Sequence, residues 1–163
     1  MSGIVGGVGS KSGVIGPAFG RQDAPWGFYW LRTGQTLTTG TDTIVNWDGG
    51  PSETNAWINN SSGTFTVNVP GIWRWHSRIR FNANFGDSQY TVKFNGNLGE
   101  SYSGSNYDYM DDITKYEQMS VELVARMNTT DTVNFWAYQS SGSNKLIDGN
   151  TSVAHIVTAI MIG

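Results

Sequence analysis

From Trp26 onward, apolar and polar side chains alternate with a period of two, and Gly, Asn, Asp and Ser break the alternation at short intervals. Successive side chains of a strand point to opposite faces, so this pattern predicts half-buried strands in an antiparallel sandwich or barrel. Phe65, Val67 and Val69 alternate with Thr64, Thr66 and Asn68, and Pro70-Gly71 marks a turn. The next segment sets Trp73, Trp75, Ile79 and Phe81 on one face and Arg74, His76, Arg78 and Arg80 on the other. Tyr90, Val92 and Phe94 oppose Gln89, Thr91 and Lys93, and Asn95-Gly96 supplies the strongest short-range hairpin signal of the chain. Met119, Val121, Leu123, Ala125 and Met127 alternate with Ser120, Glu122 and Arg126. A polar turn from Asn128 to Asp131 then leads to Val133, Phe135 and Ala137, which share a face. No segment beyond Pro25 keeps a helical apolar stripe. Residues 108–118 come nearest, and at most one short helix is expected there.

The last strand departs from the pattern. Between Val153 and Ile162, Val153, Val157, Ala159 and Met161 lie on one side, and Ala154, Ile156, Ile160 and Ile162 on the other. A strand of an antiparallel sheet usually wets one face. Here the second face needs a cover, most simply another copy of the chain; a central strand beneath a loop is the alternative.

Residues 1–25 differ in kind from the rest. They are dominated by Gly with small aliphatics between, and Ser2-Gly3-Ile4-Val5-Gly6 returns approximately as Ser12-Gly13-Val14-Ile15-Gly16. Such a segment has too little side chain to fold alone, so we divide the chain into a docking arm, residues 1–25, and a folded domain, residues 26–163. Ile4, Val5, Val8, Val14 and Ile15 are the arm's candidate contacts, since an extended segment with alternating aliphatics can lie in a groove or add to a sheet edge. A flexible leader is the plainer alternative.

Composition narrows the functions. The chain has 163 residues, 21 Gly, seven each of Trp, Tyr and Phe, and only 14% charged residues, which favours strands and turns over helices. A net charge of -3 gives no general attraction to nucleic acid, and no nucleic-acid partner is expected. Without cysteine there are no disulfides, zinc-thiolate sites or thiol nucleophiles. The start lacks a basic n-region and an unbroken apolar core, so it is not read as an ordinary secretion signal. With no run of about 18 apolar residues, no segment is expected to span a bilayer and no membrane insertion is expected.

At this point four stretches, in order, resemble the tumour necrosis factor and complement-globular-head superfamily of trimeric jelly rolls. Gly63 to Trp75 resembles the family's strand, Pro-Gly turn and aromatic strand, and Tyr90 to Gly96 the hairpin after it. Val121 to Met127 with Asp131 to Trp136 resembles the penultimate strands, and Ile156 to Gly163 the closing strand beside the threefold axis. Phe28 to Leu31 and Ile44 to Trp47 are expected as the first strand and its partner. The resemblance covers about residues 27–163 and implies an all-β, antiparallel jelly-roll sandwich that forms a homotrimer. Ile156, Ile160, Ile162, Trp73, Trp75 and Phe135 are its candidate trimer-interface residues; which strand face meets the axis stays open. Cellular members usually carry a collagen-like stalk or a membrane anchor, whereas here there is a short Gly-rich arm. That combination is more similar to bacteriophage virion proteins, either capsid decorations or fibre tips, and implies other virion proteins as partners through residues 1–20.

No residue pattern points to catalysis. Gly7 to Gly13 lacks the Gly-Lys-Ser/Thr order of a phosphate loop and the strand and helix such a loop needs. His76 and His155 lie in predicted strands away from any nucleophile motif, and Asp111 and Asp112, being adjacent, would point apart in a strand. No cofactor is expected. Asn106, Asp108, Asp111 and Asp112 offer oxygen ligands to calcium, although a solvated acidic turn is the simpler account. The stretch from Gly99 to Glu117 is taken as a long loop whose Tyr102, Tyr107, Tyr109 and Tyr116, set among Ser, Gly and Asn, suit recognition of a host surface glycan. The stripe Arg74, His76, Arg78 and Arg80 is expected to pair with Glu122 and Asp87 in the trimer.

Overall fold

The computed structural model describes residues 24–51, 57–81, 88–97, 101–110, 117–149 and 155–163. Among them are twelve strands and no helix. In chain order these are β1 (Trp26–Trp30), β2 (Gln35–Leu37), β3 (Thr43–Ile44), β4 (Ile58–Ser61), β5 (Thr64–Val67), β6 (Gly71–Phe81), β7 (Ser88–Asn97), β8 (Ser101–Met110), β9 (Glu117–Met127), β10 (Thr132–Gln139), β11 (Lys145–Ile147) and β12 (Ile156–Met161). All pairings are antiparallel. One sheet runs β1-β12-β6-β9, the other runs β4-β5-β10-β7-β8 with β3 also on β10, and β11 pairs with β2. The expected all-β jelly roll is the observed one.

The core lies between the two main sheets and is filled by the predicted inward rows. Trp73, Trp75, Ile79 and Phe81 of β6 are fully buried, as are Phe65, Val67, Val92, Val133, Phe135 and Ala137 from the facing sheet. Phe65 is the hub: its ring centroid is 4.9 Å from Tyr29, 5.4 Å from Trp75 and 6.2 Å from Phe135, all within the range of favourable ring pairs. The buried Gln139 has its polar atoms satisfied. Its Nε2 donates to the carbonyls of Leu37 and Ser143, and its Oε1 accepts from the Ser141 amide and hydroxyl, which fastens the end of β10 to β2.

The β4–β5 hairpin turns on Ser62 (φ 51°) and Gly63 (φ 82°), two successive residues in the left-handed region. Two-residue loops of this kind match the right-handed twist of the flanking strands. A Cβ at Gly63 would run into the Val45 carbonyl, so only Gly fits.

Three local expectations are corrected. Asn95-Gly96 is not a turn: both residues sit inside β7, with Asn95 opposite Ser103 and Gly96 opposite Tyr102, and the chain reverses after Asn97. Much of the stretch taken as a loop, Gly99 to Glu117, is strand, because residues 101–110 form β8; no helix occurs in the described part of 108–118. The partner of the first strand is the closing strand β12, not Ile44 to Trp47; β3 pairs with β10 instead.

Candidate functional site

Each long strand turns every second residue outward, so the register of the β1-β12-β6-β9 sheet dictates a grid on its outer face. One row reads Trp26, Ile160, Arg74, Val124; the next reads Phe28, Thr158, His76, Glu122; the third reads Trp30, Ile156, Arg78, Ser120. Ile72 and Arg126 extend the grid, and the Ile162 amide donates to the Ile72 carbonyl at 2.7 Å, placing those two isoleucines side by side. Among the described residues six large hydrophobics are exposed, and five of them (Trp26, Ile72, Val124, Ile160 and Ile162) belong to this face. Scattered exposed apolar residues are ordinary, whereas a contiguous set marks a contact surface. The basic stripe crosses the same face. Arg74 pairs with Glu122 at 2.6 Å within one protomer, both side chains about half exposed.

The opposite face of the sandwich is polar. On β10 the outward residues are Thr132, Asn134, Trp136 and Tyr138, and opposite them on β7 stand Asn97, Asn95, Lys93 and Thr91. Lys93 donates to both carboxylate oxygens of Asp42, at 2.7 and 3.0 Å, and its ammonium lies 5.4 Å from the Tyr138 ring centroid. Asp42 immediately precedes β3, which pairs Ile44 with Trp136, so the ion pair bridges β7 to that connection. A depression of about 230 Å³ opens there, lined by Asp42, Lys93, Phe94, Asn95 and Trp136. A second, of about 240 Å³, lies beside the cis Gly50-Pro51 bond and is lined by Tyr29, Trp47, Asp48 and Asn60 among others.

Two titratable groups are displaced from their ordinary values. Burial, reinforced by the Arg80 charge, lowers His155 from 6.5 to about 4, against the opposing pull of Asp148. The ring is therefore neutral near pH 7, and its Nδ1 accepts the Arg80 amide at 3.2 Å. At Asp48, burial raises the pKa, but hydrogen bonds from the Thr33 side chain and from the Arg32 and Thr33 amides outweigh it, leaving the carboxyl below 3.8. Asp48 thereby anchors the chain as it leaves β1. Both groups have structural partners that account for them. Among the described residues no cluster of three His, Cys, Asp or Glu side chains is placed to hold a metal.

No family model matches the chain, and no curated protein matches its sequence. Solved structures do match. The globular domain of a zebrafish complement 1qA protein superposes with a TM-score of 0.62 at 15% identity, over 86% of this chain and 98% of that one. Murine APRIL at pH 8.0 gives 0.62 at 11% identity, over 84% and 98%. An Eiger TNF from S. frugiperda gives 0.63 at 9% identity, over 86% and 93%. The fold is TNF/C1q-like.

Within this TNF/C1q-like jelly roll the expected site residues separate. Ile160 and Ile162 are exposed and Ile156 is partly exposed, all on the apolar sheet face. Trp73, Trp75 and Phe135 are corrected as interface residues, because each is fully buried in the protomer's own core and has no surface to offer a partner. The alternation of β6 and β10 was enough to put them inward; the family resemblance had offered them as contacts. Trp26, Phe28, Trp30, Ile72 and Val124 complete the apolar face, and the register of the closing strand with its neighbours was the missing signal. Tyr102, Tyr107 and Tyr109 lie on β8, the edge strand, opposite Gly96, Thr91 and Gln89; Asn106 and Asp108 are on the same strand. Tyr116, Asp87, Asp111, Asp112 and the arm contacts Ile4, Val5, Val8, Val14 and Ile15 lie outside the described residues.

Proposed function

We propose that the chain is a non-enzymatic homotrimeric module whose protomers meet on the outer face of β1-β12-β6-β9. The observation that carries this reading is the concentration of Trp26, Ile72, Val124, Ile160 and Ile162 on that one face. Left in water, such a patch costs about 25 cal/mol for every Å² a partner would cover. Three copies, rather than two, is the number the fold resemblance favours, and a stable assembly would bury more than about 2,000 Å². The Arg-rich stripe of β6 then crosses the contact itself, with Arg74, between Ile160 and Val124, already paired with Glu122.

The trimer serves, in this reading, as a structural protein on the exposed surface of a virion, a capsid decoration or head fibre. Residues 1–20 tether it to other virion proteins. What supports this is the division of the chain into a Gly-rich arm with a repeated aliphatic motif and a compact sandwich. Deleting residues 1–20 should abolish docking onto purified particles while the trimer persists in solution. Loss of the trimer with the arm would refute that division of labour.

The second reading keeps the trimer and makes it a fibre tip that binds host surface glycans through β8. The tyrosines at 102, 107 and 109 on an edge strand favour it. Loss of host-cell binding on combined Tyr→Ala substitution at these positions would support it, and unchanged binding would refute it.

A further inference from the structure

The depression on the polar face has the makings of a ligand site. Its lining combines three kinds of group: the partly buried indole of Trp136, the Lys93–Asp42 ion pair and the Asn95 side chain. The first offers a flat apolar surface, while the others offer charged or amide donors and acceptors around it. Register explains why they converge. Trp136 stands opposite Lys93, Asn95 follows two residues along the same face of β7, and β3 brings Asp42 to the rim.

Two features narrow the ligand. The local charge sums to zero, because Lys93 is held at 2.7 Å by Asp42, so nothing in the pocket favours an anion or a cation over a neutral molecule. The Trp136 indole N–H is buried, and among the described residues it has no acceptor. A buried donor without a partner costs about 1–3 kcal/mol, and a ligand oxygen relieves it only if the ring turns to uncover the N–H. An aromatic plane and prepositioned charged and amide hydrogen-bonding groups, in a space of about 230 Å³, suit one small ring bearing many hydroxyls.

We propose that this pocket binds a single neutral sugar residue, stacked on Trp136 and hydrogen-bonded by Asp42, Lys93 and Asn95. The site is complete within one protomer and therefore stands apart from the assembly reading. It is also on the sheet face opposite the apolar grid, so three copies in a trimer would stay open and add avidity toward a polymeric glycan.

The test is a titration of the ¹⁵N-labelled full chain, following the Trp136 indole N–H resonance, which is assigned by its disappearance in Trp136→Phe. The probes are the methyl glycosides of glucose, galactose and mannose, together with N-acetylglucosamine, each taken to tens of millimolar. At least one should shift the resonance saturably. Asp42→Asn and Asn95→Ala should each weaken that probe by about 10-fold, the equivalent of about 1.4 kcal/mol. N-acetylneuraminic acid and inorganic phosphate, the charged controls, should bind more weakly than the best neutral sugar. The Ile160→Asp variant should bind the monosaccharide as the native chain does, whatever its oligomeric state, so failure of the trimer and failure of the pocket are separable. An unmoved resonance with all four neutral probes would overturn the proposal. So would unchanged affinity in both variants, or tighter binding of either charged control.

Discussion

The two main sheets bury the same kind of side chain and differ in what they turn outward. On β1-β12-β6-β9 the outer rows hold Trp26, Phe28, Trp30, Ile156, Ile160 and Ile72 beside arginines. On β10 and β7 they hold Thr132, Asn134, Tyr138, Asn95 and Asn97 around Trp136 and Lys93. The inner rows serve folding and obey one rule, while each outer row reports what that side of the molecule meets. A contiguous face with exposed Ile and Trp suits the proposed contact between copies; a face of amides, hydroxyls and one aromatic pocket suits water and the proposed small polar ligand.

The comparison can be broken at its common base first. Trp75→Ala removes a fully buried ring that touches Phe65 and Phe135, and should cost about 3–5 kcal/mol in denaturant unfolding, or prevent folding outright. Its outward neighbours should not behave so. A loss below about 1 kcal/mol for Trp75→Ala would mean that the sandwich core is not as described.

Acid should produce the next largest effect. Because His155 is displaced downward, from 6.5 to about 4, the unfolded chain takes up a proton that the folded one refuses between those values. Stability contributed by the neutral ring is complete above about pH 6.5 and is lost as pH falls toward 4, by about 3 kcal/mol in all. Urea midpoints measured across that window should fall in the native chain and fall less in His155→Gln. Equal slopes would contradict the burial of this ring.

Ile160→Asp addresses the apolar face directly. The side chain is 43% exposed in the protomer, so the strand content seen by circular dichroism should be unchanged. In an assembly the new carboxylate would be desolvated, and association should weaken by about 2 kcal/mol or more per contact. The matching change on the polar face, Asn134→Asp, should leave association untouched.

The smallest effects sharpen the contrast. Two ion pairs, Arg74–Glu122 and Lys93–Asp42, sit on opposite faces at 2.6 and 2.7 Å. Exposed pairs couple by about 0.2–1 kcal/mol. Double-mutant cycles should return that for Lys93–Asp42 at any protein concentration. The Arg74–Glu122 coupling should shrink on dilution, when the trimer comes apart and water screens the pair.

Most of the architecture was legible because period-two alternation is a direct consequence of strand geometry, and inward rows such as Trp73 to Phe81 and Val133 to Ala137 followed it. What escaped was information carried by pairing between distant strands. Asn95-Gly96 has the composition of a tight turn, yet β10 and β8 flank it on either side and keep it extended. β8 has no alternation to announce it: Ser101 to Asn106 contains little that is apolar, and backbone pairing with β7 defines it as a strand. The closing strand's dry outer side was visible in Ile156, Ile160 and Ile162. Trp26, Ile72 and Val124 join it through registers that no local pattern encodes. The pocket was invisible for the same reason, since Asp42, Lys93 and Trp136 come from three separate parts of the chain.

Sedimentation equilibrium of the full chain at micromolar concentration tests the central claim most directly. The account predicts a species of about three times the 17.8 kDa of one chain, reduced toward a single chain by Ile160→Asp. A native protein that sediments as one chain, soluble and folded with its isoleucine face in water, would contradict it.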